Sequence, residues 1–411
     1  MTLAFKQSEI GAIPEDWALT TLGTLLAFTN GLNADKAAYG KGMPFINVME
    51  PITRSHIYGP EIPGRVQIPS DAALTYLVKP GDIVFNRTSE TDSELGLAAV
   101  YLGDERVVFG GFVIRGRPIT DALDPKYSGY ALRTKTIRSQ IISMGQGAIR
   151  ANIGQQNLQR VLVAVPQKCE QRDIAQALSD VDALIAALDY LIAKKRDIKQ
   201  ATMQQLITGK TRLSGFSGKW ETKRLGDLAE MGSGGTPLSS VATYYDGEIP
   251  WVSISDMTKG GKTIEATERN LTALGFSNSA AQMFPSGTIL YAMYASIGEC
   301  SIAGVPLCTS QAILGIQPKE KLRAEFLYYY LTSLKARVKT LGQQGTQANL
   351  NKGIVQDFKL GLPTVGEQAA IAAVLSDMDA ELIALEARRA KTRALKLGMM
   401  QELLTGKTRL I

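Results

Sequence analysis

The chain has 411 residues, too many for one ordinary hydrophobic core and enough for two or three domains. Lys and Arg number 45 against 39 Asp and Glu, a formal +6, so a polyanionic partner must be met by local patches rather than by a global field. Three cysteines without CxxC spacing and one histidine, His56, argue against a disulfide framework and most zinc chemistry; no apolar run reaches the ~18 residues of a membrane span, and the opening lacks a secretory pattern, so the expected address is the cytoplasm.

In chain order, residues 14–165 are rich in Gly, Pro and short β-type runs such as Asp82-Ile83-Val84-Phe85 and Val107-Val108-Phe109, with a helical pattern near 126–144. From Glu170 to about Thr208 there is neither Pro nor Gly, and apolar residues recur at heptad spacing: Ile174, Val181, Leu188 in one column, Ala177, Leu184, Leu191, Ile198 in a second, Leu178, Ile185, Ile192 in a third. That predicts a rod of roughly 55–60 Å, stopped by Gly209. Residues 220–362 return to the mixed pattern, with strands at 288–291 and 312–314 and a helix near 323–341. A second rod carries Ile371, Met378, Leu385, Met399 and Leu375, Leu382, Leu403, and stops at Gly406.

The chain is written twice. MQQLITGKTRL at 203–213 returns as MQELLTGKTRL at 400–410, and ALSDVDA at 177–183 returns as VLSDMDA at 374–380. Pro166, Glu170, Gln171 and Ile174 match Pro363, Glu367, Gln368 and Ile371. Trp17…Leu22-Gly23…Leu25 recurs as Trp220…Leu225-Gly226…Leu228. The rods are close copies while the large segments share only landmarks, which assigns one shared task to the rods and divergent tasks to the large segments. Two such rods are expected to pack on one another, with Ile174, Val181, Ile185, Leu188, Ile192, Ile371, Met378, Leu382, Leu385 and Met399 forming a helix–helix or partner seam.

Positive charge is concentrated. Between Asp124 and Glu170 there is no acidic residue, against Lys126, Arg133, Lys135, Arg138, Arg150 and Arg160; between Glu325 and Asp357 there is none, against Lys335, Arg337, Lys339 and Lys352. Both stretches hold a Gln-Gly…Ala-Asn landmark, and basic residues mixed with Gly, Gln and Asn suit nucleic acid. The candidate DNA contacts are Arg87, Arg133, Lys135, Arg138, Arg150 and Asn152 in the first copy, and Lys335, Arg337, Lys339, Gln347 and Asn349 in the second. A further basic pair, Lys194-Lys195-Arg196…Lys199 and Arg388-Arg389…Lys391…Arg393…Lys396, falls mid-rod at matching positions and suggests a central positive zone.

Catalytic motifs are missing. Thr-Gly-Lys-Thr at 208–211 and 405–408 looks like the end of a phosphate-binding loop, but Gln204 and Gln401 stand where its first glycine is required, and each motif follows a helix instead of opening one. No Asn-Pro-Pro-Tyr motif is present, and His56 has no plausible nucleophile beside it.

Ile13-Pro14-Glu15-Asp16-Trp17…Leu22-Gly23…Leu25, its reprise from Trp220 with Gly234-Gly235-Thr236-Pro237, and the Pro-x-x-x-Glu-Gln…Thr-Gly-Lys-Thr-Arg-Leu close of each half resemble the specificity subunits of type I restriction–modification systems, over essentially the whole chain. The resemblance implies an α+β protein with two mixed α/β target-recognition domains (1–166 and 214–363). These would be separated by two long antiparallel coiled-coil-like helices (167–213 and 364–411) with a pseudo-two-fold from the tandem repeat. It implies a non-catalytic subunit that reads a bipartite, asymmetric duplex DNA target and docks two methyltransferase subunits, with restriction subunits joining through the complex. No cofactor is expected in this chain; S-adenosylmethionine, ATP and Mg²⁺ would belong to the partner subunits. The competing readings are a self-contained nuclease with duplicated binding domains, which Mg²⁺ alone would activate, and a coiled-coil scaffold without a DNA role.

Overall fold

A computed structural model of the chain describes residues 4–147, 151–343 and 350–410. Its contacts divide into two units, Met1–Leu188 with Arg388–Ile411, and Asp189–Ala387. Each unit therefore holds one large segment, the first half of the rod that follows it and the last half of the other rod.

Seven of the first unit's strands carry its frame: β1 (Leu26–Asn30), β2 (Tyr39–Ile46), β3 (His56–Ile57), β4 (Ile83–Asn86), β5 (Ala98–Tyr101), β6 (Val107–Phe109) and β7 (Val113–Pro118). A five-stranded sheet has the order β1-β7-β4-β5-β3, antiparallel except at β5–β3, with Ile114 opposite Phe85 and Val84 opposite Ala99. β2 and β6 pair in parallel in a second sheet. Both faces of the larger sheet are covered: Ile83, Phe85, Ala98 and Val100 enter one apolar cluster, while Val84, Ala99 and Tyr101 enter another. Burial on both faces explains why these strands read as unbroken apolar runs rather than alternating ones.

The second unit repeats this plan with β8 (Ala229–Ser233), β9 (Tyr245–Val252), β10 (Thr263–Ile264), β11 (Ile289–Ala292), β12 (Cys300–Ala303), β13 (Cys308–Thr309) and β14 (Ile313–Pro318). Its sheet order is β8-β14-β11-β12-β10, and β9 pairs β13 in parallel. The helical pattern expected near 126–144 is split into α1 (Pro125–Ala131) and α2 (Lys135–Ser143), whereas its repeat partner runs unbroken as α4 (Ala324–Gln343); the rods are α3 (Lys168–Ile207) and α5 (Val365–Leu403).

The repeated motif residues fasten each rod to its domain. The Gln171 carboxamide accepts from Asp124 N (2.7 Å) and donates to Ala122 O (2.8 Å) and Pro166 O (2.9 Å). Gln368 does the same with Arg323 N, Lys321 O and Pro363 O. Glu170, fully buried beside it, accepts from Trp17 Nε1 at 3.1 Å, as Glu367 does from Trp220 Nε1 at 3.1 Å. The cation comes from the other rod's tail: Arg409 grips Glu170, and Arg212 grips Glu367. Gly209 and Gly406, at φ +68° and +70°, turn each tail under that tryptophan, as expected of glycines that stop a helix.

Within each unit the two rods run antiparallel. Ile174 packs with Leu403 and Leu404 in the first unit, and Met203 with Ile371 in the second. Leu188, Ile192 and Leu382 are buried; Val181, Ile185, Met378, Leu385 and Met399 are half-buried. The seam is narrower than the three columns suggested, because Leu184 and Ile198 of the second column are exposed. Four of the mid-rod basic residues pair across it: Lys195 with Glu381 (2.7 Å), Arg196 with Glu386, Lys199 with Asp379, and Lys396 with Asp182 (2.6 Å). Part of the expected central positive zone is thus a set of ion pairs between the rods, while Lys194, Arg388 and Lys391 are exposed.

Candidate nucleic-acid interface

In the first unit β1, β2, β4 and β6 all end at one edge. β1 and β4 both run antiparallel to β7, and β6 runs parallel to β2. Hydrogen bonds tie the extensions together: Leu32 N to Phe109 O (2.9 Å), Gly110 N to Ile46 O (3.0 Å) and Arg87 N to Phe112 O (2.9 Å). The loops gathered there enclose a cavity walled by Tyr39, Phe45 and Phe112, with Asn33 and Asn47 at its polar side and the Gly110–Gly111 step as its floor. Loops at the carboxyl ends of strands place side chains on a rigid frame, which is what a reading surface requires.

Two of the sequence candidates reach this edge. Arg87 follows β4, its main chain bonded on both sides (Phe112 O and Ile153 N) and its Nη1 3.4 Å from Gly111 O. Asn152 pairs with Thr88 in a short two-strand ladder and is exposed, its Oδ1 accepting from Thr88 Oγ1 at 2.6 Å.

Others do not. Arg133 donates to the carbonyls of Pro51 (2.7 Å), Arg54 (2.9 Å), Ala98 (2.8 Å) and Ile52 (3.0 Å), and burial, with Arg138 nearby, pulls its pKa down. Arg138 is buried, donating to Ser93 O (3.0 Å), Asp92 O and Leu95 O. Both guanidiniums turn inward to backbone carbonyls and brace the fold. Lys135 is exposed but lines a cleft with Leu397, Met400 and Lys407 of the rod end. In the second unit Lys335 is paired with Glu299, while Arg337 and Lys339 are exposed on α4. Arg150, Gln347 and Asn349 lie outside the described residues.

Asn33, Asn47 and Phe112 escaped sequence reasoning. The one available signal was the Gly110-Gly111 pair directly after a β run.

A second polar cluster recurs in both units, where domain helix meets rods. Tyr130 donates to Asp182 (2.8 Å) and Tyr329 to Asp379 (2.6 Å); each aspartate also takes the lysine of the opposite rod, Lys396 or Lys199. Burial, and then the aspartate, raises both phenols far above their ordinary range, so they stay protonated donors. In the second unit Lys262 adds bonds to Tyr329 OH (2.9 Å) and Ser376 Oγ (2.7 Å). In the first, His56 lies edge-on to Tyr130, beside an open cavity.

Two large domains with matching anchors and shared helical rods define a duplicated architecture. The model of the type I restriction modification DNA specificity domain matches the chain twice, over residues 14–194 and 217–393, and the chain belongs to that family. A protein described as the MjaX type I restriction enzyme specificity subunit of Methanocaldococcus jannaschii is 27% identical, covering 98% of this chain and 96% of its own. Among solved structures, the type I restriction–modification S subunit from M. genitalium superimposes with a TM-score of 0.57 at 16% identity, covering 98% of this chain and 99% of that one. A chain from a structural study of assembly and conformational transition in the type I R-M system gives 0.61 at 17%, covering 96% and 99%. At such identities the structural likeness speaks for the fold.

Proposed function

We propose that this chain is the DNA-recognition subunit of a type I restriction–modification complex and supplies the address without performing chemistry. One observation carries the reading. Two units with the same strand plan and the same Trp–Glu–Arg and Tyr–Asp–Lys anchors present different side chains at equivalent strand ends. A duplicated frame with unlike reading edges suits a target of two unlike half-sites, one per domain, with residues 1–166 and 214–363 as the two readers.

The rods suit partner docking. Leu184, Leu395 and Leu397 are exposed on the rod segments of the first unit, and Tyr190, Ile198 and Ile383 on those of the second. Leu395 and its repeat counterpart Ile198 are exposed in both units, which favours docking two copies of one partner, the methyltransferase subunit, through which restriction subunits join. S-adenosylmethionine, ATP and Mg²⁺ then act on those partners, in the cytoplasm where the DNA lies. Among the described residues no helix is long and apolar enough to cross a membrane.

The test is a domain exchange. Replacing residues 14–165 with the corresponding segment of a relative, in complex with the methyltransferase, should alter one half of the methylated motif only. A change in both halves, or in neither, would refute the assignment.

A further inference from the structure

The cavity at the strand-end edge of the first unit has a lining that selects among ligands. Its volume is about 300 Å³, and no charged side chain contributes to it. A phosphate needs cations, and guanine's O6/N7 edge offers two acceptors that Arg or Lys satisfies best. What the cavity offers is two carboxamides and aromatic faces. Asn33 and Asn47 are exposed, and among the described residues no hydrogen bond holds either side chain. Tyr39 is 41% exposed and Phe112 56%.

The backbone beneath is fixed. Asn47 N donates to the buried Glu50 carboxylate (2.8 Å), and Gly111 N donates to Leu32 O (2.8 Å). A Cβ at Gly111 would fall 1.9 Å from Asn33 Oδ1, and one at Gly110 would fall 2.5 Å from Phe45 Cζ. The two glycines are therefore what lets amide and ring close on the same space.

The second unit does not build this cavity. Matching hydrogen bonds (Gly110 N to Ile46 O and Ser310 N to Val252 O; Arg87 N to Phe112 O and Met293 N to Ala312 O) align the edges residue by residue. Trp251 then stands at the position of Phe45, with Nε1 bonded to Gly235 O (2.9 Å). Ser253 stands at that of Asn47 and spends its hydroxyl on Asp256. Gln311 and Ala312 replace Gly111 and Phe112. The second copy exposes a carboxamide and a ring at other positions of this edge, Gln311 and Tyr294, so the two copies present these groups in different places.

Resting on the DNA-reading assignment above, we propose that this cavity reads an A·T base pair in the half-site of the first unit. The Asn47 carboxamide makes the paired contacts to adenine, donating to N7 and accepting from N6–H, and the Phe112 ring covers the thymine methyl. A carboxamide is both donor and acceptor, so it matches adenine's acceptor–donor edge, and an aromatic side chain suits the methyl that marks thymine in the major groove.

The experiment maps methylated motifs made by the complex of this chain with its methyltransferase. Asn47→Ala and Phe112→Ala should each relax one A·T position of one half-site by about ten- to a hundredfold and leave the other half intact. Asn47→Asp, which accepts but cannot donate, should move the preference at that position from adenine toward cytosine. Both side chains are exposed, so the variants should fold as the parent does. An unchanged motif in all three variants, or a loss equal on every sequence, overturns the proposal while exchange of residues 14–165 still changes that half-site. If that exchange also changes nothing, the DNA-reading assignment itself fails.

Discussion

Arg409 and Glu170 lie 239 positions apart in sequence, and their side chains form a bidentate pair at the foot of the first rod, with Nη2 2.8 Å from Oε2. The carboxylate is 1% exposed, so the arginine is what makes its burial tolerable. Arg409 also reaches Asp16 (2.7 Å), whereas its counterpart Arg212 has one carboxylate, Glu367, and a more exposed side chain, 25% against 7%. Arg409→Ala should therefore cost about 3–5 kcal/mol and Arg212→Ala somewhat less, read as the urea midpoint of each variant. Lysine at 409 keeps the charge but not the fork, and should recover only part of the loss. Equal midpoints for Arg409→Ala and the parent would remove the pair from the stabilising set.

The same arginine has an acid limb. The Arg409 hydrogen bond holds the Asp16 carboxyl below its ordinary value of 3.8. A depressed folded value means that this contribution is present above the unfolded pKa and is lost as pH falls through the lower folded one. Below about pH 4, stability should fall less steeply in Arg409→Ala than in the parent.

A different pH window belongs to a single residue. His56 is the sole histidine, its Nε2 2.9 Å from Lys126 O and its Nδ1 2.9 Å from Ser55 Oγ. Burial lowers its pKa from 6.5, against smaller opposing effects of Lys126 O and Asp182, and Lys396 and Lys126 lower it further. The unfolded chain then takes up the proton first, so stability falls as pH drops from about 7 toward 5, by at most about 1.4 kcal/mol per pH unit. Urea titrations across that window should show the slope in the parent and none in His56→Gln. A slope that persists in the variant would place the titrating group elsewhere.

What was legible in the sequence follows from what repeats. The rods, their terminal glycines and the Pro-x-x-x-Glu-Gln motif appear twice because both copies solve one packing problem, and buried Gln171 and Gln368 make equivalent bonds. The proposed reading edge was legible only at Arg87 and Asn152, because Asn33, Asn47 and Phe112 follow three different strands far apart in the chain. Arg133 and Arg138 misled for a related reason. An acid-free stretch records net charge, and it cannot show that a guanidinium turns inward to backbone carbonyls some 80 or 40 residues away. The same holds for part of the mid-rod basic run, where Lys195, Arg196, Lys199 and Lys396 meet carboxylates of the opposite rod that the run itself does not show.

Arg133 and Arg87 should separate cleanly. Arg133→Ala strands the carbonyls of Pro51, Ile52 and Ala98 and should cost on the order of 3 kcal/mol while leaving the methylated motif intact at permissive temperature. Arg87→Ala, at the reading edge, should change DNA affinity or motif with little loss of stability. A motif change in Arg133→Ala at full stability would reverse the two assignments.

The rods pose the same question about their two faces. Ile192 and Leu382 are buried, and Leu→Ala or Ile→Ala truncation there should cost about 2–4 kcal/mol through lost burial and the cavity left behind. Leu184 and Leu397 are exposed, 40% and 63%, so alanine at either should stay within about 0.5 kcal/mol of the parent. If the exposed face receives the methyltransferase, Leu184→Ala and Leu397→Ala should nonetheless weaken assembly, measured by sedimentation of the mixed subunits, at unchanged unfolding midpoint. Ile192→Ala should instead lower the midpoint and assemble normally below it. Assembly that is indifferent to both exposed leucines would move the docking surface off these rods.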